Sequence, residues 1–133
     1  MSADLVEVVG AAIVEAGRCL VARRSATMSS PHAWEFPGGK VEAGESPTEA
    51  LVRELEEELG VRVTVDQLLG VGEAGAGRRR VRLEVYGASI LSGRPEPREH
   101  AELRWVGVAE LLSLDFAVAD RPVLPAVRDL LLG

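Results

Sequence analysis

Apolar and polar residues alternate along most of this chain in short runs, and one stretch breaks that rhythm. Over residues 46–59, Leu51, Leu55 and Leu59 recur at helical spacing, forming the stripe by which a helix packs on a core. Ser46 is a good N-cap, Pro47 suits the first helical turn, and Glu49 completes a capping box with Ser46. Gly60 supplies the left-handed position after Leu59. The pattern predicts a helix over 46–59 with clear signals at both ends.

Around that helix the pattern predicts mostly strands. Residues 5–15, rich in Val, Ile and Ala, read as a largely buried strand. Ala16-Gly17 reads as a turn, and 19–22 as the returning strand of a hairpin. A polar loop over 25–33 leads into a short strand ended by Pro37-Gly38-Gly39, and a second loop over 40–45 precedes the helix. Two further short strands are predicted over 61–65 and 68–71, a glycine-rich hairpin loop with a basic tip over 72–80, and a strand over 81–91. After a turn at 92–97 come one helical turn at 109–112 and a closing helix over 122–132. Strands and helices mixed in this order predict an α/β sandwich around a mixed sheet.

The length of 133 residues suits one domain with a real core. At 4% aromatic content, Val, Leu and Ala must fill most of it. One cysteine, Cys19, excludes an internal disulfide and suits a reducing cytoplasm; it reads as a small core filler. Asp4 and Glu7 stand where a signal peptide would be basic, and no apolar run reaches spanning length. A soluble intracellular protein without a membrane partner is expected. The net charge of −6 argues against binding nucleic-acid polymers. A nucleotide substrate stays open, because a metal ion can reverse the local sign.

The chemistry concentrates in the predicted helix. At about 100° per residue, Glu54, Glu57 and Glu58 fall within an arc of roughly 100° beside the leucine stripe. Like charges three and four residues apart cost an isolated helix roughly a few tenths of a kcal/mol per pair, so folding alone would not select them. A hard divalent cation, Mg²⁺ or Mn²⁺, prefers carboxylate oxygens and would turn that repulsion into chelation.

From Gly39 onward the sequence runs Gly39, five residues, Glu45, seven residues, Arg53-Glu54-Leu55, Glu56, Glu57-Glu58, Leu59, Gly60-Val61. This resembles the Nudix box, with every fixed position filled. The preceding Trp34-Glu35-Phe36-Pro37-Gly38 is similar to the family's lead-in, and the order of elements is similar to small MutT-like members over nearly the whole chain. The resemblance implies one Nudix domain over 1–133, with its box at 39–61, built as an α/β/α sandwich around a mixed β-sheet. It implies hydrolysis of a nucleoside diphosphate linked to another group. It also implies a Mg²⁺ site, with Mn²⁺ as a substitute, in which Glu54, Glu57 and Glu58 hold one to three ions and Gly38 takes part. Arg53 and Glu45 would be supports, with Arg53 pairing with loop acids to keep the carboxylates aimed. Gly39 and Gly44 would let the loop bend close to the metal, and Glu56 would face solvent. A further acid from outside the box is implied as ligand or base: Glu99, six residues before Trp105, with Glu102 as the alternative. Either Glu54 or Glu99 would take the proton from water.

Markers of other substrate classes are missing. No Pro or Tyr occurs between Gly60 and Val85, which weakens the ADP-ribose and diadenosine polyphosphate readings. The loop before Phe36 lacks the arginine-and-glycine pattern of coenzyme A members. What remains is the MutT-like class, which converts a nucleoside triphosphate to monophosphate and pyrophosphate. Ala117 to Val123 is similar to the MutT segment that lines the base pocket, with Asp120 where MutT has an amide. An ionised aspartate only accepts hydrogen bonds, so it favours bases offering N–H donors, such as cytosine or guanine. Asp120 also reads as an N-cap for the last helix. By resemblance Arg24 would meet phosphate, Arg79 would close over the nucleotide, and Phe36 would join the substrate-binding positions. The expected activity is nucleotide-pool sanitation on an 8-oxo-dGTP or dCTP/CTP type of substrate, by a monomer or homodimer. The alternatives are another nucleoside diphosphate-linked substrate, such as ADP-ribose, and a non-catalytic nucleotide sensor.

Overall fold

In the computed structural model, which describes residues 4–76 and 78–133, strand β1 (Asp4–Glu15) is the spine. Its residues Val9 to Ile13 are all buried, as expected of a strand covered on both faces. It pairs in parallel with β6 (Arg79–Ser92) and antiparallel with β2 (Arg18–Arg23) and β4 (Gly38–Lys40). The other strands are β3 (Trp34–Glu35), β5 (Arg62–Ala76) and β7 (Glu102–Val106). Among the described residues the mixed sheet has seven strands, ordered β3-β2-β1-β6-β5, with β4 added on β1 and β7 on β2.

One edge of β1 serves two partners. Val8 to Gly10 pair with β4, whereas Val14 and Glu15 pair with β2. Between them the Ala11 N–H donates to the Pro37 carbonyl at 2.8 Å. The lead-in residues 34–37 therefore occupy the place where the two halves part.

Alternate β1 residues feed two cores. Val9, Ala11 and Ile13 meet Leu51, Leu55 and Leu59 of α1 (Pro47–Leu59) on one face. Ala12 joins Trp34, Phe36, Val85, Leu111, Phe116, Val123 and Val127 on the other. That second face is covered by α2 (Val108–Ser113), a 3-10 segment (Val118–Val123) and α3 (Leu124–Leu132). The result is the expected α/β/α sandwich. Cys19 lies fully buried, and burial pushes its thiol up to about 12. Among the described residues, no helix is long and apolar enough to cross a membrane.

The helix over the box keeps its expected ends. The Ser46 hydroxyl accepts from Glu49 N–H at 3.1 Å, Glu49 Oε1 accepts from Ser46 N–H at 2.9 Å, and Gly60 closes at φ 73°. Two expectations are corrected. The expected strands at 61–65 and 68–71 and most of the expected loop at 72–80 form one bulged strand, β5, with register shifts between Val65 and Gly70; Gly77 lies outside the described residues. Glycine carries no strand preference of its own, but at 70 and 72 it makes room for the 3-10 segment, since a Cβ at Gly72 would overlap the Ala119 carbonyl. The last helix begins at Leu124, with the 3-10 segment before it. Val123 is its N-cap, so Asp120 does not cap it.

Candidate active site

Helix α1 presents its acids because its leucines fix its rotation. Leu51, Leu55 and Leu59 are wholly buried, and burying each contributes about 2 kcal/mol. That outweighs the roughly few tenths of a kcal/mol lost to each pair of neighbouring glutamates. Glu54 is then pressed between Arg53 and β4, with 14% of its side chain exposed. Gly39 faces it from β4, where Gly38 and Gly39 are held in register by Gly10 and Val9 of β1.

Arg53 is the hub of the loop side. Its guanidinium donates twice to Glu45, at 2.7 and 2.9 Å, once to Glu54 at 2.9 Å and once to Glu57 at 3.2 Å. It also reaches the Lys40 carbonyl at 3.1 Å. These bonds from Arg53, helped by the Glu42 N–H, hold the Glu45 carboxyl down at about 2. Glu45 thus stays charged, and the loop over residues 40–45 stays tied to the helix.

Glu58 is the opposite case. Burial, followed by the nearby charges of Glu54, Glu99 and Glu35, pushes its carboxyl up to about 8. Its Oε2 is sealed from solvent and has no hydrogen-bond partner among the described residues. Carboxylates crowded this way cannot all ionise unless a cation joins them. No three groups among the described residues converge closely enough to hold an ion as they stand. Glu57, 61% exposed, is turned toward Arg53. The donor set nevertheless fits a hard divalent ion: an orphaned buried carboxylate oxygen on Glu58, with the charges of Glu54 and Glu99 close enough to raise its carboxyl.

Behind these acids a second polar cluster is built on the lead-in. Glu35 accepts from Arg24 Nη1 at 2.6 Å and pairs with His100 Nε2 at 2.8 Å. The other side of the Arg24 guanidinium is taken by Ser29, whose hydroxyl accepts at 3.0 Å. Asp120, 4% exposed, accepts from the Phe36 N–H at 2.9 Å. Burial raises its carboxyl to about 7, although the Phe36 bond opposes the shift; Glu35 adds to it.

With this geometry in place, likeness to known proteins has a specific meaning. The NUDIX domain family matches residues 4–127. The chain belongs to the Nudix family. It is 38% identical over 122 residues to the CTP pyrophosphohydrolase of Escherichia coli, covering 92% of this chain and 90% of that protein. It is 32% identical over 116 residues to the 8-oxo-dGTP diphosphatase of the same organism, covering 87% and 90%. The crystal structure of the MutT protein from Methanosarcina mazei aligns with a TM-score of 0.85 at 25% identity, over 97% of this chain and 96% of that one. The chain is a MutT-like Nudix hydrolase acting on phosphoric anhydride bonds. Such enzymes use divalent cations and small nucleotide substrates.

The Nudix frame brings together most of the residues singled out in the sequence. Glu54 and Glu99 lie near enough to Glu58 for their charges to raise its carboxyl, whereas Glu102 is engaged by Arg104 at 2.8 and 3.0 Å. Two placements differ from expectation. The Phe36 ring is buried, 5.4 Å from the Phe116 ring centroid, so it offers the site its N–H and not its face. Arg79 sits at the start of β6, paired with Asp4, whereas Val85 of β6 is level with Gly10 and hence with Gly38. Six strand residues separate the two levels, about 20 Å, so Arg79 is not brought to the cluster. Sequence reasoning missed Glu35 and His100. An acid between two aromatics in the lead-in was the available signal for Glu35; His100 had none, because its partner lies on another strand.

Proposed function

We propose that this hydrolase converts a nucleoside triphosphate, of the CTP or 8-oxo-dGTP type, to the monophosphate and pyrophosphate, and so keeps the nucleotide pool clean. The observation that carries this reading is the orphaned, buried Glu58 oxygen in a cluster where the charges of Glu54 and Glu99 reach it. The chain's relatives named CTP pyrophosphohydrolase and 8-oxo-dGTP diphosphatase support the substrate type. Mg²⁺ is the proposed ion, with Mn²⁺ as a substitute. When bound, it neutralises phosphate charge and makes water a better nucleophile.

In this scheme Glu54, Glu57, Glu58 and Glu99 hold the cation, with Gly38 beside them. Glu57 gives up its contact with Arg53 to do so. Arg53 and Glu45 keep Glu54 aimed, and Gly39 and Gly60 let the loop and helix end take their shape. The proton from water goes to Glu54 or Glu99. Arg24 meets phosphate by exchanging Ser29 for substrate, while Glu35 keeps it in place. Asp120 reads N–H donors on the base. The net charge of −6 favours a small nucleotide over a polymer, and the single buried thiol suits a reducing cytoplasm. A monomer or a homodimer is the proposed assembly.

The test is a panel of dGTP, 8-oxo-dGTP, dCTP, CTP, ADP-ribose and diadenosine polyphosphates, each with Mg²⁺ and with Mn²⁺. Pyrophosphate release from a cytidine or 8-oxo-guanosine triphosphate is expected. Cleavage of ADP-ribose alone would overturn the reading.

A further inference from the structure

Glu99 lies in an exposed stretch, residues 93–99, that has neither strand nor helix to fix it. The residues on its two sides are nonetheless anchored to separate elements. On one side, Arg98 Nη1 donates to the carbonyls of Glu56 and Glu57, at 3.3 and 3.2 Å. These belong to the last turn of α1, where the Glu56 carbonyl also accepts from the Gly60 N–H and the Glu57 carbonyl is one that a helix leaves without an intrahelical partner. The same turn carries the side chains of Glu57 and Glu58. The guanidinium lies against Gly60, where a Cβ would stand 2.6 Å from Nη2. Upstream, Glu96 N–H donates to the Leu59 carbonyl at 3.0 Å, laying the loop along the helix end. On the other side, His100 is buried against Glu35 at 2.8 Å, and Ala101 N–H donates to the Arg23 carbonyl at 2.9 Å.

We infer that Arg98 is a positioning residue for Glu99, gripping the carbonyl end of α1 so that the Glu99 carboxylate is held opposite Glu58. The inference rests on the proposed role of Glu99 as a metal ligand. A cation at a helix C-terminus is favourable in itself, but a plain cap could sit anywhere along the last turn. Here the cap stands one residue from the outlying acid, and His100 fixes the next residue on. Two anchors around a single residue leave its backbone little freedom. Gly60 gains a second role, because any side chain there would compete with the guanidinium for space.

The test is Mn²⁺ affinity of the full chain, read from free Mn²⁺ by electron paramagnetic resonance. It compares wild type, Arg98→Ala, Arg98→Lys, Glu99→Gln and the Arg98→Ala/Glu99→Gln double variant. Arg98→Ala is expected to weaken binding about tenfold, the lower end for loss of a contact that orients a ligand. Lysine reaches the same carbonyls and restores most of that loss. The double variant binds no more weakly than Glu99→Gln alone, because Arg98 acts through Glu99. Thermal unfolding without metal reports the capping contribution separately. If Arg98→Ala does not fold, Arg98→Gln takes its place in the cycle. Unchanged affinity in Arg98→Ala, or a loss that adds fully to that of Glu99→Gln, would overturn the inference while Glu99 remains a ligand. Unchanged affinity in Glu99→Gln would remove the ligand role, and with it the inference.

Discussion

The Glu54 carboxylate fills the space that any side chain at Gly39 would need. A Cβ built on Gly39 would overlap the Glu54 carboxyl carbon and come within 2.8 Å of its Oε1. The first glycine of the box is therefore fixed by contact with one of the box's acids. Gly39→Ala should push Glu54 off its bond with Arg53 and lower kcat/KM by about 100-fold, the upper end for loss of a ligand-orienting contact. Steady-state kinetics on a folded variant check this, and wild-type turnover would show that Glu54 tolerates displacement.

Glu57 offers a cleaner separation of chemistry from folding. Its side chain is exposed and, among the described residues, makes one long bond, to Arg53. Glu57→Gln should change unfolding stability by no more than about 0.5 kcal/mol. Turnover should fall by about 100- to 1,000-fold, the scale for removing one charge-stabilising contact. Near-normal turnover would remove Glu57 from the metal-holding set.

Metal binding should release a proton. With its carboxyl raised to about 8 by burial and by Glu54, Glu99 and Glu35, Glu58 holds a proton at neutral pH until a cation replaces it. Affinity for Mg²⁺ or Mn²⁺ should therefore rise with pH up to about 8 and level off above. Calorimetry in buffers of different ionisation enthalpy should count the released proton in wild type and lose it in Glu58→Gln. Added metal should also raise the midpoint of thermal unfolding, because it binds the folded chain. Chelation should reverse that gain and abolish turnover.

Asp120 makes stability depend on pH. Its carboxyl sits at about 7 in the folded protein, against an ordinary value of 3.8. Between those values the folded state binds more protons than the unfolded one. Stability from this group is thus highest at low pH, falls as pH rises from about 4 to 7, and is flat above. Asp120→Asn keeps an acceptor for the Phe36 N–H and removes the titration. The stability difference between wild type and variant should shift by about 4 kcal/mol between pH 4 and 8, measured by urea unfolding. A difference that does not move with pH would contradict the burial of an ionisable group there.

What could be read from the chain alone follows from where each signal is stored. The helix over the box carries its own start, stop and buried stripe in Ser46, Glu49, Gly60 and the leucines, so both it and its acids were legible. Strand β5 was legible only in its first part, over 61–65 and 68–71, because Gly72 looks like a loop residue until the 3-10 segment is seen packed against it. The partners of Arg53 all lie within the box, and the resemblance to that box implied its pairing with loop acids. Those of His100 and Arg98 lie 65 and about 41 residues away, a separation no local pattern encodes. The contact of Asp120 is with the Phe36 N–H, 84 residues back, and Val123 stands at the N-cap of α3 in its place.

The most direct measurement is the identity of the products when the purified chain meets CTP or 8-oxo-dGTP with Mg²⁺. The account predicts nucleoside monophosphate and pyrophosphate in equal amounts, with neither formed by Glu57→Gln. Nucleoside diphosphate with orthophosphate, or bound nucleotide with no product at all, would contradict it.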